Sequence, residues 1–205
     1  MSEVVRDRIE NLYFNHKTMR KLKLQVQMSV DGYIAGVNGE MDWMMWNWGD
    51  DINNHVKDLT EPVDTILLGR KLAEGFIPHW TAAYDVPETR SDSRKMVETP
   101  KVVFTKTLSK SEWERTILAT GNLEDEVLAL KKQKGKDMIV YGGATFVSAL
   151  ISKGLIDEYH LFINPVLLGA GMPIFQSLAQ RQSLELVKSQ AFDCGIVVVH
   201  YKVKG

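Results

Sequence analysis

Cysteine is nearly absent from this chain. Cys194 stands alone among 205 residues, which excludes an internal disulfide and any multi-cysteine zinc site, and fits a reducing compartment. An excess of charge of one sign is missing too. The 25 Lys and Arg face 26 Asp and Glu, a formal net charge of -1 at pH 7, so no global field draws the chain to nucleic acid or to an anionic membrane. No apolar run approaches the roughly 18 to 20 residues needed to span a bilayer. The N-terminus lacks the basic-then-apolar layout of a secretory leader. The histidines, His16, His55, His79, His160 and His200, are scattered without ligand spacing, so no metal is expected and surface or satisfied interior roles are assigned to them. These absences leave a soluble, cytoplasmic protein whose partner is a small molecule.

What is present suffices for one core. With 44% hydrophobic and 25% charged residues, a single domain is expected over residues 19–205. Residues 1–18 are polar and mixed in charge. They contain ENLYF, the beginning of a common tag-removal protease site, although Asn15 follows where that site has Gln. The segment is a tag remnant or a natural extension, and it is set apart from the fold.

Alternation of Leu22, Leu24, Val26 and Met28 predicts a strand, followed by the loop SVDGYIAG. Three short unbroken apolar runs, Thr65 to Leu68, Val102 to Phe104 and Met138 to Tyr141, predict strands covered on both faces. Helical patterns lie between and after them, at Asp51 to Leu59, Lys71 to Phe76, Leu123 to Lys132 and Ala144 to Lys153, the last stopped by Gly154. Thr81 to Met96 is polar and rich in breakers, a surface excursion or weak helix. In the last third, EYHLFINPVLLG, SLELVKSQAF and GIVVVHYKV read as strands without intervening helices, an antiparallel addition. The fold class is therefore α/β, with a mostly parallel, mixed central sheet flanked by helices.

VYGGATFVSAL raises the chemical question, because a buried strand stops on Gly142 and Gly143 and a helix starts at once at Ala144 and Thr145. That layout points free backbone N–H groups and the positive helix end at one spot, an anion site suited to a dinucleotide pyrophosphate. The competing reading is a tight turn in which glycine only permits an unusual backbone angle. TILLGRKLAEGF repeats the layout with Gly69, then Arg70 and Lys71 at a helix start, where positive charge opposes the helix dipole. VVFTKT adds Thr105 and Lys106 at a third strand end. Ligands of open α/β sheets gather at the carboxyl ends of strands, so these ends are expected to share one crevice.

SVDGYIAG, MDW, LLGRK, VFTKT, YGGATF and NPVLLGAGMPIF occur in the order seen in the dihydrofolate reductase fold. Over Met19 to Lys204 the chain resembles more closely the reductase family typified by the C-terminal domain of the bacterial riboflavin-biosynthesis deaminase-reductase, RibD. The resemblance implies an NADPH-binding reductase, often a homodimer, acting on a pterin-like or aminopyrimidine heterocycle. By it, Gly69, Arg70, Lys71, Thr105 and Lys106 face the adenosine phosphates, and Gly142, Gly143, Ala144 and Thr145 hold the pyrophosphate with a non-proline cis bond between the glycines. Val26, Gln27, Ile34 and Gly36 cover the nicotinamide. The loop carrying Gly32, Gly36 and Gly39 either closes over it or is a plain hairpin connection, which would carry the same glycines. Riboflavin-pathway members carry an Asp-Asn-Pro or Asp-Asp-Pro element where this chain has GFIPHW, which puts the ribosylated pyrimidine in doubt.

Trp43, Trp46 and Trp48 either sandwich the heterocycle or form core or dimer contacts. His79, with Pro78 and Trp80, shapes a substrate pocket or ends the helix and packs. Asp31, Asp50 and Asp51 are the candidate catalytic carboxylates, against the plainer roles of turn former for Asp31 and helix cap for the other two. Beside the reductase stands an alternative, a non-catalytic nucleotide-binding protein that keeps the phosphate crevice.

Overall fold

The structure is a computed structural model that describes residues 19–204, so the segment 1–18 lies outside the described residues. Eight strands form one sheet in the order β4-β3-β2-β5-β1-β6-β8-β7. They are β1 (Leu22–Ser29), β2 (Val63–Gly69), β3 (Lys101–Phe104), β4 (Thr116–Ala119), β5 (Asp137–Tyr141), β6 (Glu158–Asn164), β7 (Leu184–Ala191) and β8 (Val197–Val203). The first six run parallel, and β8 and β7 add antiparallel beyond β6. The helices are α1 (Asp50–Thr60), α2 (Arg70–Asp85), α3 (Arg90–Glu98), α4 (Leu123–Lys132) and α5 (Ala144–Ser152). None is long and apolar enough to cross a membrane.

Alternation along β1 divides the core. Leu22, Leu24, Val26 and Met28 pack with Val127 and Leu130 of α4 and with Val147, Leu150 and Ile151 of α5. The opposite face takes Ile52 and Leu59 of α1, Ala73 and Ile77 of α2 and Met96 of α3 against Ile66, Leu68, Ile139 and Phe162. Each side chain of this size, once fully buried, contributes roughly 1.5–3 kcal/mol, so the two layers clamp the sheet between them. Helices on both faces explain why β2, β3 and β5 read as continuous apolar runs.

The structure corrects two expectations and adds a strand. β6 is parallel to β1, not part of the antiparallel addition, because α5 carries the chain back across the sheet before it begins. β4, four residues reading TILA with only one of them buried, is too short to stand out in the sequence. The helix expected to end at Phe76 runs on through Pro78 to Asp85. Proline removes one backbone bond, a cost of about 3 kcal/mol. Packing of Ile77 against the sheet and of Phe76 on Trp80, with ring centroids 6.0 Å apart, offsets it. Of the two readings of Thr81 to Met96 the helical one holds: it is the end of α2 and most of α3, seated by buried Ser93 and Met96.

The end of α3 is met by a buried lysine. Lys101, 3% exposed, donates from Nζ to the carbonyls of Val97 at 2.9 Å and Thr99 at 2.7 Å, which the terminating helix leaves unpaired. Burial, with Arg115 nearby, lowers the Lys101 pKa to about 8. Between that value and its ordinary 10.5 the unfolded chain keeps the proton while the folded chain sheds it, so stability rises with pH across this window. Urea unfolding at about pH 7.5 and about pH 9.5 is expected to show a gain of about 1–2 kcal/mol that Lys101→Met lacks. Parallel pH profiles for the two proteins would remove this role for Lys101.

Candidate active site

The carboxyl ends of β3, β2, β5 and β1 are neighbours, and they deliver the glycine, threonine and lysine segments as one row along the sheet edge. The chain leaving β1 crosses by α1 to β2 on one side, while the chain leaving β5 crosses by α5 to β6 on the other. Divergence of this kind opens a crevice between β5 and β1. Their pairing ends at Gln25 with Tyr141, yet β1 continues beside β6 as far as Ser29. The backbone of Val26, Gln27 and Met28 therefore has no β5 neighbour.

Gly142 and Gly143 make the split. Their φ values are 20° and 81°, and the left-handed angle at Gly143 turns the chain out of the sheet into α5 at a cost that a residue with Cβ meets in full. Open space surrounds the position of a Cβ on Gly142, and one on Gly143 would stand 3.7 Å from Leu72, in the first turn of α2. The starts of α5 and α2 are thus side by side. Described peptide bonds are all trans, which corrects the expected cis bond: positive φ at both glycines supplies the turn. Gly69 serves close approach, since a Cβ there would lie 2.9 Å from Cβ of Phe146. Both helices begin on glycine with no side-chain cap, whereas Asn122 caps α4 through the amides of Glu124 and Asp125. The first N–H groups of α2 and α5 remain available to an anion.

The cations beside this row have internal partners. Arg70 pairs with Glu74 at 2.5 Å, and Lys106 donates to the carbonyls of Thr120 at 2.8 Å and Gly121 at 2.6 Å. Lys71 is exposed, as is Thr145. The buried Thr105 hydroxyl accepts the amides of Thr107 and Leu108, both at 3.1 Å, and fixes the turn after β3.

At the β1 end, Val26 and Ile34 are buried, and the loop after β1 is strapped down. Ile34 donates to Met172 O, Met172 to Ala35 O, and Val30 to Val166 O. Gly36 is held by Glu40, whose carbonyl accepts its amide at 2.8 Å. Asp31 accepts the amides of Gly169 at 2.7 Å and Leu168 at 3.2 Å. The Ser29 hydroxyl first, and these amides with it, hold its carboxyl below the usual carboxylate range. The structure gives Asp31 the work of a latch between two loops. Asp51 likewise accepts the amide of Asp193 at 2.9 Å, while Gly49 occupies the N-cap of α1 and Asp50 is exposed in the first turn.

The tryptophans lie at the same sheet end. Trp46, 62% exposed, stacks on Trp48, which stacks on Phe162 of β6, a ladder with centroid spacings of 5.9 and 6.1 Å. Trp43 donates its indole N–H to Glu40 O. His79 is not brought to this group: it is exposed on α2, nine residues and about 14 Å along the axis from the helix start.

Sequence reasoning overlooked Asn164 and Tyr141. Asn164, fully buried, accepts the Met45 amide at 2.8 Å and donates to Gln27 Oε1 at 3.1 Å, tying the tryptophan segment to β1. Its signal was the polar residue ending the strand in FINP. Tyr141 stacks on Phe76 at 5.5 Å, and burial pushes its phenol pKa up, so the hydroxyl beside the glycines stays protonated. Asn164→Ala is expected to lower unfolding free energy by about 1–3 kcal/mol and to red-shift tryptophan emission as the segment loses its anchor. An unaltered spectrum would count against that anchoring role.

Comparison with known proteins identifies the family and the fold. The family model for the RibD C-terminal domain matches residues 20–198. YyaP, an uncharacterized protein of Bacillus subtilis (strain 168), is 35% identical over 195 residues, spanning 93% of this chain and 99% of YyaP. The diaminohydroxyphosphoribosylaminopyrimidine deaminase/5-amino-6-(5-phosphoribosylamino)uracil reductase of Thermotoga maritima superposes with a TM-score of 0.67 at 16% identity, covering 98% of this chain and 63% of that one. Dihydrofolate reductase from Enterococcus faecalis, complexed with NADP(H), gives 0.58 at 16% identity, with 90% and 97% covered. These two likenesses establish a dihydrofolate reductase-like fold.

Proposed function

Because the chain belongs to the RibD C-terminal domain family, we propose that it is an NADPH-dependent reductase acting on a pterin-like or aminopyrimidine heterocycle. One observation carries the reading: the sheet opens between β5 and β1 beside two adjacent helix starts that are uncapped and glycine-lined. The absence of Cβ at Gly142 and Gly143 leaves a cradle that a pyrophosphate fits, with the amides of Ala144 and Thr145 as donors. Gly69, Arg70, Lys71, Thr105 and Lys106 then serve the adenosine phosphates, with Arg70 and Lys106 exchanging internal partners for the ligand. The unpaired edge of β1 at Val26 and Gln27, with Ile34 and Gly36, receives the nicotinamide.

The cofactor supplies a hydride when bound. The chain's own work is to orient and to exclude water. The backbone edge of β1 at Val26 and Gln27 lines the crevice, and exposed Trp46, backed by Trp48 and Phe162, offers a flat face for a planar heterocycle. Among the carboxylates considered, Asp31 and Asp51 are engaged by backbone amides. Asp50 is left as the proton-transfer candidate. A homodimer and a cytoplasmic location belong to the same reading.

The tethered state of Asp31 and Asp51 favours a second reading, a nucleotide-binding protein without turnover. Mixing NADPH with dihydrofolate, and separately with the deaminated ribosylaminopyrimidine, and following the absorbance of the reduced cofactor separates the two. Oxidation with either compound removes the second reading.

The cofactor assignment is tested by titration followed through nicotinamide fluorescence. Wild-type protein is expected to bind NADPH in preference to NADH, and replacing Arg70 and Lys106 together with Ala to weaken NADPH far more than NADH, each charge-assisted bond being worth about 1.5–3 kcal/mol. Equal losses would refute the phosphate role, and no binding of either dinucleotide would refute the reductase. Light scattering is expected to give the mass of two chains; a one-chain mass would remove the dimer.

A further inference from the structure

A second cluster of chemistry-bearing side chains lies on the α1 face of the sheet, away from the crevice. Register places Gln25 of β1 opposite His160 of β6, and His160 opposite His200 of β8. Glu158, two residues before His160, shares its face. These residues belong to the first half of β6, whereas the tryptophan segment is anchored at Asn164, the other end of that strand.

The imidazoles of His160 and His200 stack with centroids 4.0 Å apart and 21° between planes. Both direct Nε2 at one oxygen: Oε2 of Glu158 lies 3.6 Å from His160 and 3.5 Å from His200. These separations are longer than hydrogen bonds, and both Nε2 atoms, like Nδ1 of His160, are buried without a partner. Protonating both rings would set two cations face to face in a site where the His160 side chain is only 7% exposed. A central cation resolves the arrangement. Donors bound at about 2.0–2.1 Å around a tetrahedral ion stand about 3.3–3.5 Å from one another, close to what is observed.

We propose that Glu158, His160 and His200 bind one divalent transition-metal ion, with Zn²⁺ the best match to two imidazoles and a carboxylate. The three donor atoms lie within 4.8 Å of one another, and a water completes four-coordination. Lys21 donates to the other carboxylate oxygen, Oε1, at 2.8 Å and so turns Oε2 toward the rings. Of the other lysines nearby, Lys23 pairs with Asp137 and Lys202 with Glu185, both at 3.1 Å, while Lys188, opposite His200 on β7, is exposed to solvent. Gln25 Oε1, also buried and unpartnered, is the acceptor that register places beside His160, and a second hydrogen bond of this kind orients metal-bound histidines. The ion ties β8, and through it the edge strand β7, to the parallel part of the sheet. Its role is structural and independent of the reductase reading.

The test uses the full chain, freed of metal by dialysis against a chelator and titrated with Zn²⁺ by calorimetry, then with Co²⁺ as a spectroscopic probe. The expected result is one equivalent per chain, visible Co²⁺ bands of a four-coordinate ion, and a Tm that rises with free Zn²⁺. Glu158→Gln and His200→Gln are each expected to lose that equivalent and the bands, while a Cys194→Ser, His79→Ala double variant keeps both. The proposal is overturned if wild-type protein takes up no equivalent, or if His200→Gln retains it. The wild-type titration decides the matter even where a variant fails to fold. NADPH titration of His200→Gln is expected to match wild type, so that loss of metal and loss of cofactor binding are read separately.

Discussion

The whole arrangement depends on one parting of neighbours, the place where β5 turns out of the sheet at Gly142 and Gly143 while β1 runs on. A parallel sheet satisfies its backbone groups pairwise, so a strand that outlives its neighbour exposes a polar edge. Here that edge opens at the point where α5 starts, and the left-handed Gly143 lets the turn be tight enough to bring α5 against the first turn of α2. Gly142 to Thr145 on one side, and Val26 and Gln27 of β1 on the other, flank this divergence.

Tethering makes the crevice a shape rather than a gap. The loop after β1 is strapped to residues 166–173 by backbone bonds and by the Asp31 carboxylate, and the tryptophan segment is tied by Asn164. The glycines at 32 and 39 have positive φ, as turns require, and the loop's hydrogen bonds hold it against the sheet. In this structure the loop lies docked against residues 166–173.

The sequence disclosed the sheet's interior and the phosphate row because both are written in local patterns. Unbroken apolar runs signal strands covered twice, and a glycine between strand and helix signals a turn with free amides. It concealed what depends on distant partners. β4 is defined by pairing with β3 more than by its own residues, the direction of β6 is set by the crossover before it, and Pro78 stays helical because of packing that no window of sequence contains. The same limit hid His160 and His200, which stand forty residues apart in the chain and become cross-strand neighbours only once β8 folds back. Asp31 and Asp51, whose plainer roles in the sequence are turn former and helix cap, accept amides of Gly169 and Asp193, partners that lie far away in the chain.

The outermost strand has a consequence of its own. β7 is exposed along nearly its whole length, and its outer row of amides and carbonyls is a template on which another chain can lengthen the sheet. A register shift between Leu186 and Lys188 interrupts that row midway, and the charged Glu185 and Lys188 flank the interruption. An incoming strand can follow the edge for only a few residues before it loses step, so the bulge works as a guard against uncontrolled fibre growth at the rim where the molecule is most open to it.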